Sequence, residues 1–401
     1  MSEGIPIQDM DSPVLDPRTT RASTGSAARS IVRRLLALVL AALAMLSLLS
    51  GAETQLSGTE AAKAGAADQS SGHKRGQVRA ATYSLVRQAD GADRRLPRAS
   101  ISPLEVPGHP GMSGSARSLY MRTTRRSVLD AQGCLQAREV RATRGQLENV
   151  LVVMAFGRPM KIGNRYGASL FGAGFRDTSA VGRAARAYVQ GYLRCIHDSD
   201  RARLHLALGT SNFGRQVSYR HGRAWGNMVN QANEWLSAQG AWPDVEIAGA
   251  SDIELGWNGP AISKLWVKGY DSVARWPFFD FGDAGGCPPK GDCLGSWTQE
   301  DVWYVAWGAE TALPLPQIYT PTGSQAEQWY RLSLYAYRHH GSRMHIDGVL
   351  SQHMACKQSS DPCWGINNSP ARAWSQLWQA LNRDRRTAQD LVWSTDLRWV
   401  P

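Results

Sequence analysis

From Glu148 onward, short apolar runs alternate with amphipathic stretches. The first run is 150–155, Val-Leu-Val-Val-Met-Ala, and a helix follows from about Thr178 with Val181, Ala185, Tyr188, Val189 and Tyr192 on one face. Residues 204–208 form the second run, whose helix carries Trp225, Val229, Ala232 and Leu236 in one stripe. The third, 245–248, extends through Ser251, Asp252, Ile253 and Glu254. Its helix starts at Asn258-Gly259-Pro260, where the missing proline N–H costs nothing. Four more runs lie at 278–281, 315–319, 345–350 and 391–395. Thr298 with Asp301 predicts a capping box for the helix after the fourth run, and Ser324 with Glu327 one for the helix after the fifth. Ser369-Pro370 opens the last helix, with Trp374, Leu377, Trp378 and Leu381 along it.

Strand-like runs separated by single helices predict parallel βαβ units, because parallel neighbours need a crossover. Seven such units suit an α/β chain closed into a (β/α)8 TIM-type barrel, a fold of usually ~250 residues. The eighth strand falls in 118–122 or within 161–175. An open doubly wound sheet is the alternative, but no G-x-G-x-x-G follows the first run. The expected organisation is a polar, basic leader (1–34), an apolar export segment (35–52), a linker (53–114), a barrel lead-in (115–147) and the barrel domain (148–401).

Residues 35–49 are apolar except for Ser47, with Arg29, Arg33 and Arg34 before them and Ser50-Gly51-Ala52 after. That pattern reads as a secretory signal peptide cleaved after Ala52. The run falls short of the ~20 apolar residues a bilayer span needs. An uncleaved signal anchor is the alternative, and this segment would then be the chain's one membrane contact. Either way the remainder is expected outside the cell.

The 401 residues are 43% hydrophobic and 20% charged, which excludes disorder throughout and collagen-like or coiled-coil architecture. The net charge of +11 comes almost wholly from arginine, 38 of the 45 basic residues. Part of it lies in 53–114, an Ala/Gly/Ser/Arg-rich stretch read as a disordered basic tether. Such a tether either lies against anionic cell-envelope polymers or is a plain solvated linker. Nucleic acid is not expected as a partner, since no aromatic platform interleaves the basic residues. Six cysteines in an exported chain read as three disulfides. Spacing favours Cys287–Cys293 and Cys356–Cys363, which leaves Cys134–Cys195; neither close pair has zinc-ligand spacing.

In a barrel the working face lies where strands end. The polar residues at those ends are Asn212, Asp252, Glu254, Asp280, Asp283, Tyr319, Gln352, His353 and Asp396. Asp252 and Glu254, at i and i+2 on an extended chain, face the same way with backbones about 6.6 Å apart. Two like charges so close split their pKa values into an acid and a base. Glycosidic cleavage needs that pair, one carboxyl protonating the leaving oxygen and another attacking or activating water. Asp283 or Asp396, across the mouth, could equally partner Glu254. The structural alternative has Asp252 and Glu254 capping the 258–260 turn or pairing with Lys264 and Lys268. Asn212, Trp257, Tyr319, Gln352 and His353 are candidate substrate-binding residues, with Trp297 and Trp364 as further ligand-facing aromatics. No H-E-x-x-H, G-x-S-x-G or Walker motif occurs, and no metal or cofactor is expected.

Gly249-Ala-Ser-Asp-Ile-Glu254 with Trp257, Leu315-Pro-Gln-Ile-Tyr319 and Trp393-Ser-Thr-Asp396 resemble secreted actinobacterial proteins with a glycoside-hydrolase-like (β/α)8 domain. The resemblance covers 148–401. It implies an extracellular barrel whose partner is a glycan or cell-envelope polymer. Only Asp252-Ile-Glu254 matches the end of the D-x-x-D-x-D-x-E signature of chitinase-like barrels. The alternative is a non-catalytic barrel that binds carbohydrate or the envelope.

Overall fold

The structure, a computed structural model, describes residues 112–401 except 113, 144–146, 148, 198–201, 242–243, 288–292, 360–362 and 364. The leader, the export segment and all but two residues of the 53–114 linker lie outside the described residues, as does Trp364.

One parallel sheet of eight strands forms the centre: β1 (Ala116–Tyr120), β2 (Asn149–Ala155), β6 (Arg203–Ser211), β7 (Val245–Asp252), β8 (Phe278–Asp280), β9 (Ala312–Pro314), β10 (Gly348–Ser351) and β11 (Trp393–Trp399). Their spatial order is β10-β11-β1-β2-β6-β7-β8-β9. The ring closes from β9 to β10 by a single bridge, where Ile318 N–H donates to Leu350 O at 2.9 Å and Leu350 N–H to Pro316 O at 2.9 Å. The fold is thus a nearly closed (β/α)8 barrel. Its covering helices are α1 (Arg126–Ala142), α2 (Thr178–Cys195), α3 (Tyr219–Ala238), α4 (Pro260–Asp271), α5 (Gln299–Trp303), α6 (Ser324–His340), α7 (His353–Gln358) and α8 (Pro370–Asn382).

The eighth strand is β1, within the expected lead-in, so the barrel begins at Ala116. Residues 158–177 make a separate antiparallel sheet of β3 (Arg158–Ile162), β4 (Arg165–Leu170) and β5 (Gly174–Asp177), inserted at the C-terminal end of β2. The run expected as a strand at 315–319 lies beyond β9. Pro314 and Pro316 carry no N–H, so a regular ladder cannot continue there and only the bridge forms.

Caps follow the sequence at most helix starts. Asp177 accepts from Ala180 N–H, Ser218 from His221 N–H and Ser369 from Arg372 N–H, and Thr298 with Asp301 completes its box. The box expected at Ser324 does not form. Gly323, at φ +83°, is the N-cap, and Ser324 already lies inside α6, its hydroxyl near that of Thr322.

The lumen is filled by Leu151, Val153, Ala207, Ala248, Ala250, Phe279, Phe281, Leu350 and Leu397. Small residues on β6 and β7 leave room for the rings from β8: a Cβ on Gly209 would lie 2.8 Å from the Phe281 ring. The opposite strand faces pack on the helices through Val150, Val152, Leu204, Leu206, Val245 and Ile247. Burial on both faces is why these strands read as continuous apolar runs.

The three disulfides are Cys287–Cys293 and Cys356–Cys363, as the spacing predicted, and Cys134–Cys195, the pair left over. Such bonds indicate an oxidising, extracellular-type environment. Among the described residues no helix is long and apolar enough to cross a membrane.

Candidate active site

β7 places Ala248 and Ala250 in the lumen, and its period of two carries Asp252, then Glu254 just past the strand end, to the same side at the C-terminal mouth. Both acids are half-buried. Asp252 Oδ1 has no hydrogen-bond partner. The backbone of Glu254 is gripped at both ends by Asn212, whose Oδ1 accepts the Glu254 N–H at 3.1 Å and whose Nδ2 donates to the Glu254 carbonyl at 2.9 Å. Gln317 Nε2 donates to Glu254 Oε1 at 3.3 Å. β8 ends at Asp280, whose Oδ1 accepts from Gly282 N–H at 3.1 Å, and the chain beyond it adds Asp283, whose Oδ1 accepts from Leu255 N–H at 3.0 Å. Asp283 thus joins Asp252 and Glu254 at the mouth, while Asp280, between the inward Phe279 and Phe281, points to the outer layer and acts on Asp252 through its charge.

Burial raises all four, and repulsion from neighbouring carboxylates adds to it at Asp252, Glu254 and Asp280. Glu254 is pushed up to about 7, first by burial and then by the charge of Asp283, with the Gln317 hydrogen bond opposing. Asp252 is held well above the usual carboxylate range by burial and by Glu254, Asp280 and Asp283. Asp280 is pushed up to about 8 by burial, against the Gly282 hydrogen bond. Asp283 is raised by burial, while the backbone N–H groups of Leu255 and Gly285 favour its charged form.

This cluster has a measurable consequence for stability. Each folded-state pKa lies above its unfolded value near 4, so folding favours the neutral acids. The stabilisation is fully present below pH ~4 and is lost as pH rises through about 7 to 8. Tm is expected to fall across that window, and Asp280→Asn to lessen the fall by a few kcal/mol of stability. An Asp280→Asn variant whose Tm tracks wild type from pH 4 to 8 contradicts this.

Not every candidate joins the site. Asp396 is not in the lumen: it alternates with the inward Leu397 and lies on the outer face of β11. Its carboxylate accepts from Ser351 Oγ at 2.6 Å, His353 N–H at 2.8 Å and Met354 N–H at 3.0 Å, capping α7. That leaves no free oxygen for catalysis opposite Glu254. Asn212, 2% exposed, positions Glu254 and does not face a ligand. His353 is tied by Nδ1 to Asn367 O at 2.9 Å. Trp297 is fully buried, donating to Asn258 O at 2.9 Å. Tyr319 and Gln352 do reach the mouth, yet both are committed to Tyr120. Tyr319 lies close enough to Tyr120 for the two hydroxyls to influence one another, and the Tyr120 hydroxyl donates to Gln352 Oε1 at 3.0 Å. Burial and the nearby Asp252 and Glu254 charges raise both tyrosines, keeping them neutral donors. Trp257 is half-buried and packs edge-on against Phe213, centroids 5.5 Å apart; Phe213 is 39% exposed.

Several site residues went unmarked in the sequence. Tyr120, Phe171 and Trp399 form an aromatic cluster with centroids 4.6 to 5.4 Å apart, and the Arg122 guanidinium lies 4.4 Å from the Trp399 ring. Extending the period-two pattern of the last run would have found Trp399, on the same face as Leu397. Gln317 and Phe213 carried no such signal. Among the described residues no group of three or more His, Cys, Asp or Glu side chains is arranged to hold a metal ion. The fold and site together define an α/β barrel with an acid- and aromatic-lined mouth. No family model, curated protein or solved structure matches the chain.

Proposed function

We propose that the chain is an exported glycoside hydrolase acting on an extracellular or cell-envelope glycan by carboxylate acid/base catalysis. The observation that carries this reading is Glu254, a half-buried carboxyl held near pKa 7 beside Asp252 and Asp283 at the barrel mouth. At neutral pH it keeps a proton to give, as the departing glycosidic oxygen requires. Asp283, whose charge two backbone N–H groups favour, is the partner that attacks the anomeric carbon or activates water. Asp252 is held beside them as a neutral acid, its buried Oδ1 without a hydrogen-bond partner. Trp257 with Phe213, and the Tyr120–Phe171–Trp399 cluster, supply apolar faces of the kind sugar rings stack on. Export fits the basic-apolar-small pattern at 29–52 and the three disulfides. The resemblance to secreted glycoside-hydrolase-like barrels points the same way.

A second reading, a barrel that binds glycan without cutting it, draws on the commitment of Asn212, Gln352 and His353 to internal contacts. Reducing-end release by the full chain from a panel of cell-wall and polysaccharide substrates separates the two. The hydrolase gives a bell-shaped kcat/KM: the basic limb falls tenfold per unit above pH ~7 as Glu254 loses its proton, and the acidic limb falls as Asp283 gains one. Release from none of the panel leaves the binding reading.

A further inference from the structure

We infer that the cleft between β3 and the β6–α3 loop is a subsite for an anionic group, a carboxylate, sulfate or phosphate, carried by the glycan. The inference rests on the glycan reading above and names the substrate class. The cleft has a volume of about 200 Å³ and is lined by Arg158, Pro159, Met160, Gly214, Arg215 and Gln216. Its two charged side chains are both arginines, and no acidic residue lines it. Both are exposed, and among the described residues neither has a hydrogen-bond or ion-pair partner for its guanidinium. Neighbouring arginines differ: Arg165 pairs with Asp177 at 3.3 Å and Arg176 donates to Phe175 O at 2.8 Å. Two unpaired guanidiniums in one cleft offer the planar donor forks that oxyanions accept in bidentate fashion.

The cleft walls are fixed. Gln216 Oε1 accepts the backbone N–H of Lys161, tying the loop to β3, and Asn258 Nδ2 donates to Gly214 O at 2.9 Å. The same loop leads to the proposed catalytic acid. Asn212 grips Glu254, Phe213 packs on Trp257, and Arg215 follows two residues later. A sugar against the Phe213–Trp257 pair would therefore place a neighbouring unit's charged substituent beside Arg158 and Arg215. An unsubstituted glycan would leave both cations unused.

Calorimetric titration of the full chain with trisaccharides tests this. The probes are trigalacturonate, sulfated maltotriose, phosphorylated maltotriose and plain maltotriose. Wild type is expected to prefer at least one charged probe to the neutral one, and the best-bound probe identifies the anion. Arg158→Ala/Arg215→Ala should weaken that probe at least tenfold, with the loss shrinking at high salt. The charge-matched Arg183→Ala/Arg372→Ala, altered at exposed sites on α2 and α8, should bind as wild type does. Equal binding of charged and neutral probes by wild type, no binding of any charged probe, or equal losses in the two double variants would each overturn the assignment. Binding is read without turnover, so the two proposals fail separately. A cleft-dependent preference without hydrolysis removes only the hydrolase; hydrolysis with no effect of the double variant removes only the cleft.

Discussion

Glu254→Gln is expected to hydrolyse the glycan about a thousandfold more slowly than wild type while binding it with little change. A positioned general acid contributes roughly 10²–10⁴-fold, and glutamine keeps the size and the hydrogen-bonding ability of the side chain without a transferable proton. The backbone grip of Asn212 does not depend on the carboxyl, so the fold around residue 254 stays as it is. The loss therefore falls on kcat and not on KM. An aryl glycoside with a good leaving group, built on the sugar the enzyme accepts, needs less proton assistance and should recover much of the rate. Wild-type turnover by Glu254→Gln, or an equal loss on both substrates, rejects Glu254 as the acid. Asp283→Asn should be slow on both, because it removes the group that attacks or activates water.

Removing the Cys134–Cys195 bond by a double serine substitution is expected to cost about 4 kcal/mol of stability, the chain-entropy value for a loop of its length. The bond spans 61 positions, whereas the other two close loops of 6 and 7. It ties α1 to α2 where the two backbones touch. A Cβ at Gly133 would fall 1.9 Å from Tyr188 O, and one at Gly191 would fall 1.9 Å from Asp130 O. Glycine at both positions is what lets the cysteine Cα atoms approach to 5.0 Å. Denaturant titration reads the effect as a lowered midpoint with a steeper slope, because the unfolded chain without the cross-link exposes more surface. A loss below about 1 kcal/mol would mean that the glycine contact holds the helices by itself, the bond adding nothing.

The residues that were legible in the sequence were those whose role depends on local spacing. Asp252 and Glu254 are expected to share a side because an extended chain alternates, and in the structure the Glu254 charge acts on Asp252. β1 was harder to read because Ala-Arg-Ser-Leu-Tyr is not an apolar run. The partners its polar side chains find lie far along the chain. Ser118 Oγ lies 2.6 Å from Thr395 Oγ1 and accepts from Val153 N–H at 2.7 Å, and Arg117 reaches Glu139. Asp396 misled for a related reason: one step of register decides between lumen and outer layer, and nothing near it in sequence shows that Ser351, His353 and Met354 will use its oxygens.

The sequence by itself determined the βαβ rhythm, most of the helix starts, the three cysteine pairs and the shared orientation of Asp252 and Glu254, all consequences of period, composition and short-range spacing. Tertiary structure alone decided which strand completes the ring, that Asp283 joins the acids while Asp396 does not, and that Asn212 is a clamp on Glu254. Those outcomes depend on burial and on partners far along the chain. A carboxyl's proton affinity, above all, is set by what surrounds it in space, and local sequence does not encode that.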